Sequence, residues 1–165
     1  MEELIGAIIT ILDAHMAAEL AAITAAKTTE DTAIYGGPLN LDDIREYCFG
    51  DRGQPNDAPF VLVIGESETP DGWINERESY AVKVVYKFDI RLFIWGDDEE
   101  RINKRIIRYA KALKNVLSEH YDLGGLSLGG GIGDISYSPL IKIDGLSGFY
   151  RGISIDFTAI KISRD

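Results

Sequence analysis

The stretch Tyr80–Trp95 constrains the fold more than any other part of this chain. Apolar side chains occupy every even position of the stretch, from Tyr80 to Ile94, and charged ones occupy much of its odd positions: Lys83, Lys87, Asp89 and Arg91. A period of two is typical of a strand with one buried and one wet face. The pattern stops at Gly96-Asp97-Asp98, where a helical pattern begins. We therefore expect a sheet that is covered by helices.

Composition limits what the chain can be. Its 165 residues, 45% hydrophobic and 27% charged, suit one domain with its own core. A single cysteine, Cys48, excludes an internal disulfide and a cysteine-cluster zinc site, and we expect a buried, reduced thiol. The start of the chain is acidic, and the apolar run Leu4–Leu12 is short for a membrane span. We expect no membrane contact and assembly in a host cytoplasm.

The net charge of −10 is unevenly distributed along the chain. Residues 1–79 carry four basic and sixteen acidic side chains, or −12, whereas residues 80–165 carry thirteen basic and eleven acidic ones, or +2. Binding to phosphates needs clustered lysine and arginine, so the balance argues against sequence-specific nucleic-acid binding. The asymmetry suggests that the acidic surface of one copy meets the basic surface of another. An ordinary acidic, soluble protein is an equally good interpretation.

The first third of the chain predicts a helix followed by a loop-rich insert. Residues 2–26 form an amphipathic, alanine-rich helix in which His15 and Glu19 lie one turn apart and can pair. Residues 28–59 contain turn signals such as Gly36-Gly37-Pro38. Within this insert, Asn40 is a candidate cap for a short helix that reaches Tyr47.

Residues 60–165 predict a strand–strand–helix–strand–strand core. The segment Glu66–Ser79 is expected to be an acidic loop between the first two strands, and 99–119 a helix. The later strands are predicted over 135–143, where Pro139 indicates an edge or a bulge, and over 148–162. The predicted fold class is α+β: a single domain, 1–165, in which helices pack on one face of an antiparallel or mixed sheet of about four main strands.

Catalytic and metal motifs give little support to an enzyme. The glycine-rich segment 123–134 follows a helix and lacks the Lys-Ser/Thr of a phosphate loop, so a flexible connection accounts for it better. The two histidines, His15 and His120, lie far apart in sequence. We therefore predict no cofactor, no metal and no enzymatic activity. A ligand-binding or enzymatic domain that uses His15, Glu19 or the acidic loop is kept as an alternative.

A basic stripe on the helix 99–119 is the surface feature that we select as a candidate site. Its residues recur at helical spacing: Arg101, Lys104, Arg105, Arg108 and Lys111. Three interpretations are open: a solvated face, a phosphate site, and a subunit interface against the acidic first half of another copy. The net charge argues against the phosphate site, whereas the solvated face and the subunit interface are about equally good interpretations.

The order of elements and the residue patterns of three segments resemble those of a known family. The segments are the alternating strand that ends in an aromatic and Gly-Asp, the basic helix ERINKRIIRYAKALKNVL, and the closing pair YSPLIKID and FYRGISIDFTAIKI. Together they resemble the tail terminator and tail-completion proteins of long-tailed bacteriophages. The similarity covers most of the chain from Phe60 onward and the first helix, whereas the insert 28–59 has no counterpart.

The resemblance implies a structural virion protein of the tail or neck. Such a protein forms a homo-oligomeric ring, usually of six copies, that caps the tail tube, binds the tube protein and meets the neck protein of the head connector. An acidic lumen that repels DNA is a hypothesis for the predicted loop and its carboxylates: Glu66, Glu68, Asp71, Glu76 and Glu78. A head-completion or neck adaptor protein is the alternative within the same class.

Overall fold

A computed structural model describes residues 1–50, 58–76, 79–142 and 147–164 of the chain. For residues 72–76, 79–80 and 163–164 the description covers the backbone only. The elements, in chain order, are α1 Glu2–Tyr35, β1 Glu46–Phe49, β2 Phe60–Glu76, β3 Ser79–Gly96, α2 Glu99–Glu119, β4 Gly129–Tyr137 and β5 Phe149–Arg164.

The strands of the described residues make one five-stranded sheet in the order β1-β2-β3-β5-β4. The short edge strand β1 runs parallel to β2, and the other neighbouring pairs are antiparallel. The predicted α+β class with a mixed sheet is confirmed, with one strand more than the expected four. β3 lies at the centre and pairs with β5 from Ala81 to Gly96, so this pair supports the rest of the sheet.

One face of the sheet is shielded from water because the apolar side chains of β3 and β5 point to the same side. Phe88, Ile90 and Leu92 of β3 are fully buried, and β5 supplies Ile155 and Phe157 to the same cluster. Both helices pack on this face, as predicted. They contribute apolar side chains to the core: Leu4, Ile5, Ile8, Leu12, Met16, Leu20 and Ile23 from α1, and Ile102, Ile106, Tyr109, Leu113, Val116 and Leu117 from α2.

Helix α1 extends nine residues beyond the predicted end at residue 26 and stops at Tyr35. The prediction of turn-rich chain from Thr28 is wrong because the first strong helix breaker is Gly36, which adopts a left-handed conformation with φ 75°. The hydroxyls of Thr28 and Thr32 donate to carbonyls one turn earlier, so these residues fit the helix. By length and composition α1 would suit a membrane span, but seven of its large apolar side chains lie in the core.

Three further predictions about local structure are wrong. Instead of a short helix from Asn40, the chain forms β1, in which Cys48 is buried as expected. The acidic segment after Ile64 is the continuation of β2 as far as Glu76, and residues 77–78 of the expected loop lie outside the described residues. The glycines Gly129–Gly133 belong to β4, which ends at Tyr137, before Pro139.

At Gly130 the backbone of β4 approaches the neighbouring strand closely. A Cβ on Gly130 would overlap the carbonyl oxygen of Thr158 on β5. The same addition at Gly131 meets nothing within 4 Å. A glycine is therefore required at position 130, where the backbones of two strands come close, which is one of the recognised uses of glycine inside a sheet.

We expect Gly130→Ala to destabilise the protein by about 1–3 kcal/mol, because the added methyl group must push β4 away from β5. Gly131→Ala is the matched control and should change the free energy of unfolding much less. Urea denaturation of both variants tests the difference. Equal stabilities would contradict the close approach.

Candidate interaction surface

The helices α1 and α2 pack antiparallel, and polar contacts mark their alignment. His15 meets His120 near one end, Glu19 accepts a hydrogen bond from Asn115 Nδ2 at 2.6 Å, and Tyr35 donates to Glu100 Oε1 at 2.8 Å near the other. The basic stripe of α2 therefore faces the last turns of α1 and the chain that follows it. Opposite charges of the two halves of the sequence meet within one subunit.

Arg108 is buried between the helices. Its Nη1 and Nη2 donate to Asp31 Oδ2 and Oδ1 at 2.6 and 2.5 Å, and the side chains of the two residues are 9% and 1% exposed. The backbone N–H of Leu39 adds a bond of 3.0 Å to Asp31 Oδ2. The hydrogen bonds from Arg108 outweigh the effect of burial and lower the pKa of Asp31 to about 2. The segment after α1 is thereby fixed to α2.

Arg105 also pairs within the subunit. Its Nη2 lies 2.5 Å from Asp42 Oδ2, and the hydroxyl of Tyr109 donates to the Asp42 carbonyl at 2.6 Å. Burial raises the pKa of Tyr109 to about 12, so its hydroxyl keeps its proton and stays a donor at neutral pH. Arg105 and Arg108 thus hold residues 31–42 against α2, and their guanidinium groups are engaged inside the subunit.

The other residues of the stripe remain on the surface. Arg101 and Lys104 lie over the ring of Tyr35, with their charged groups 5.3 and 4.9 Å from its centroid. Lys111 is exposed and, within the described part of the chain, makes no hydrogen bond or ion pair. Lys111 is therefore the stripe residue that is best placed to contact another molecule, whereas Lys104 also lies 4.0 Å from Glu100 Oε1.

A groove of about 440 Å³ runs between α1 and α2 on the side away from the sheet. Ile107 lies in it with 58% of its surface exposed, although its neighbours on α2 are basic. The groove is lined by small and apolar side chains and by charged ones of both signs: Glu19, Ala22, Ile23, Ala26, Lys27, Glu30, Lys104, Ile107, Arg108, Lys111 and Asn115. Its exposed apolar side chains, with lysines and glutamates beside them, are suited to a partner surface that is partly apolar and partly charged.

The expected His15–Glu19 pair is not what the structure contains. His15 stacks on His120, with ring centroids 4.2 Å apart, and Glu19 bonds to Asn115 instead. No three ligand-type side chains converge on a common point within the described residues. The alternative of a site built on His15 and Glu19 gains no support from this geometry.

The predicted acidic loop residues lie along a strand. Glu66 and Glu68 are exposed on β2, where Glu68 accepts a 3.3 Å bond from Tyr86, and Asp71 pairs with Lys83 at 2.6 Å. Glu76 ends β2, although its side chain is not described, and Glu78 lies outside the described residues.

A further polar cluster lies on the face of the sheet opposite the two helices, at positions that the alternating pattern predicts only to be solvated. Asp89 is 6% exposed at its side chain and accepts bonds from Arg91 Nε at 2.6 Å and from the Ser154 hydroxyl at 2.5 Å. Beside Arg91 is an open concavity of about 320 Å³ that includes Phe93, Ser136, Tyr137, Ser138 and Gly152. The sequence alone carries no signal for this cluster, because Ser154 comes opposite Arg91 only through the register of β3 and β5.

Removing one partner of the Asp31–Arg108 pair should be costly, because a buried charge is left alone. We expect Asp31→Ala to lower the free energy of unfolding by about 3–5 kcal/mol. Lys27→Ala, which breaks an exposed pair on the same helix, should cost less than about 1 kcal/mol. The double variant Asp31→Leu/Arg108→Met should regain most of the lost stability in urea denaturation.

The same pair should make stability depend on acid. The pKa of Asp31 in the folded protein is about 2, below the ordinary 3.8, so its stabilising effect is complete above about pH 4 and disappears as the pH falls through about 2. The difference in unfolding free energy between wild type and Asp31→Ala should therefore shrink over this range. A constant difference between pH 7 and pH 2 would contradict this assignment.

Comparisons with known proteins add a distant similarity to solved structures. Neither models of protein families nor curated proteins give a match. Among solved structures, the chain is similar to a chain in the virion of a native gene transfer agent particle, with a TM-score of 0.40 and 13% identity. The similar region covers 92% of this chain and 95% of the other. A similarity of this size assigns no function.

Proposed function

We propose that this protein is a structural subunit of a phage-type virion and forms a ring that caps the tail tube, as a tail terminator. The observation that carries the proposal is the order of elements. A long first helix, a hairpin of long strands, a basic helix and a closing strand pair follow one another, with the helices on one face of the sheet. This is the order on which the resemblance to tail terminators depends.

The surfaces of the subunit support a role in assembly. A cyclic ring needs two different patches on each copy that complement each other. One patch is the groove between α1 and α2, with exposed Ile107 and with Lys104 and Lys111 at its margin. A complementary patch would carry carboxylates, and the exposed part of β2 has them. In this role the protein acts by shape and self-association, and neither process makes or breaks a covalent bond.

The buried pairs revise how the basic stripe contributes to this proposal. Because Arg105 and Arg108 hold residues 31–42 of their own subunit, reversing their charge would weaken the fold and give no information on assembly. The interface role is therefore proposed for Lys104, Lys111 and Ile107. Arg101 borders this patch and remains exposed beside Tyr35.

The direct test is the mass and shape of the purified protein. Size exclusion with light scattering should give a closed oligomer, and six chains of 18.2 kDa would weigh about 109 kDa. Negative-stain electron microscopy should then resolve rings with a central hole. A protein that remains monomeric up to millimolar concentration would contradict the proposal.

We expect Lys104→Glu/Lys111→Glu to weaken ring formation by at least roughly tenfold in concentration, because the groove then repels an acidic partner surface. The matched control is Lys114→Glu, an exposed lysine of the same helix that does not line the groove. Circular dichroism should give the same fold for all three proteins. If the groove variant forms rings as readily as the control, the two lysines belong to a solvated face and do not contact another copy.

A further inference from the structure

The strand β4 lies at an edge of the sheet, and its outer side is unpaired. Within the described residues, nothing bonds to the outer backbone groups of this strand. On β5, Gly152 and Ile160 use their carbonyls to accept bonds from the β4 side, so the even-numbered residues of β5 direct their backbone groups toward β4. By the register of the two strands, the backbone groups of four β4 residues then point outward: Gly130, Ile132, Ile135 and Tyr137.

β4 also has few of the features with which edge strands prevent pairing with other chains. Residues 129–137 contain no lysine, arginine or proline, and Asp134 is their one charged side chain. The outer side of β2 beyond Val63, by contrast, carries Pro70, two irregularities of its pairing with β3, and exposed carboxylates. Proline, charge and irregular pairing are the usual protection of an edge. β4 has one irregularity in its pairing with β5 and is the less protected of the two.

We propose that β4 pairs antiparallel with β4 of a second copy. In a hydrogen-bonded pair, residues that point outward must lie opposite residues that also point outward. All four outward residues meet this condition in one register, in which Ile132 of one copy lies opposite Ile135 of the other and Gly130 lies opposite Tyr137. A shift of the register in either direction leaves at least two of the four without a partner.

The side chains of β4 fit the same register. Tyr137 of one copy lies over Gly130 of the other, and an aromatic residue in this position compensates for the missing side chain of a glycine. Asp134 lies opposite Gly133, so like charges do not face each other directly. Leu128 and Tyr137 have 67% and 44% of their surface exposed, and the pairing places Leu128 of one copy diagonal to Tyr137 of the other. The contact therefore buries apolar surface in addition to forming backbone hydrogen bonds.

This contact is two-fold, unlike the head-to-tail contact that a ring requires. Two identical edges satisfy each other, so the pair is closed and leaves no further β4 edge open. It uses neither the groove between α1 and α2 nor the carboxylates of β2, and it is independent of the proposed function. In the free protein it joins subunits in pairs and covers an edge that otherwise invites aggregation.

Engineered cysteines test the register of the pair. Gly131 and Ser136 lie opposite each other in the proposed pair, whereas within one chain they are roughly 15 Å apart along β4, too far for a disulfide. Both positions have room for a side chain, because a Cβ at Gly131 meets nothing within 4 Å and Ser136 is exposed. Mild oxidation of Gly131→Cys/Ser136→Cys should therefore give a covalent dimer, which gel electrophoresis without reductant detects.

The two single variants, Gly131→Cys and Ser136→Cys, are the matched controls. Neither places two cysteines opposite each other, so each should give at least roughly tenfold less covalent dimer than the double variant. The native Cys48 is buried and is common to all three proteins. Circular dichroism under reducing conditions establishes that the variants are folded.

A second measurement needs no covalent bond. Leu128→Lys/Tyr137→Lys removes the apolar contacts and brings like charges together, so it should raise the dissociation constant of the pair at least roughly tenfold. Ile107→Lys, which changes an exposed apolar residue in the groove between α1 and α2, is the control and should leave the pair intact. Light scattering in the Lys104→Glu/Lys111→Glu background, where rings are weakened, should give pairs of about 36 kDa, twice the chain mass of 18.2 kDa.

The results separate this contact from the proposed function. A covalent dimer from the double-cysteine variant alone, together with loss of pairs in the lysine variant, supports the pairing of β4. Absence of the covalent dimer from a folded double variant, equal amounts from the single variants, or pairs that the lysines leave unchanged overturn it, and the lysine variant decides if the cysteine variant does not fold. Wild-type pairs that never form rings retain the contact and overturn the proposed function, whereas rings without the covalent dimer do the reverse.

Discussion

The alternation along β3 divides the sheet into a face that excludes water and a face that does not. Phe88, Ile90 and Leu92 point toward α1 and α2, while Asp89 and Arg91 point to the other side. Because side chains in a strand alternate strictly, a shift of one residue in the register would bury the charged set and expose the apolar one. The pairing of β3 with β2 and β5 is therefore fixed, and both helices must lie on the same side.

Part of the charge asymmetry in the sequence is balanced by ion pairs inside the subunit. Asp31 and Asp42, from the acidic first half, bind Arg108 and Arg105 of the basic helix. These pairs join the end of α1 and the segment after it to α2. The surface that this leaves for other molecules is smaller than a whole basic stripe, and it includes the groove between α1 and α2, which Lys104 and Lys111 help to line.

Periodicity made much of this fold predictable, and contacts between distant residues account for what was missed. The α2 bounds of 99–119 and the dry face of β3 follow from local patterns, which one sequence displays directly. β1 could not be recognised, since a four-residue parallel edge strand depends on β2 for its hydrogen bonds. The burial of Arg108 was equally invisible, because its partner Asp31 is 77 residues away and lay in a segment expected to be loop. The polar network of Asp89 needs a serine from β5, so it emerges only when the strands are in register.

The stacked histidines have a practical consequence. The chain contains two histidines, and their rings lie 4.2 Å apart where the first half of α1 meets the end of α2. Each ring lies in the magnetic shielding zone of the other, so their carbon-bound protons should resonate at shifted positions in a sparsely populated region of the proton spectrum. Any partner that moves one helix against the other would change that shielding. The proton chemical shifts of the two histidines therefore report on the separation of the helices without an added label.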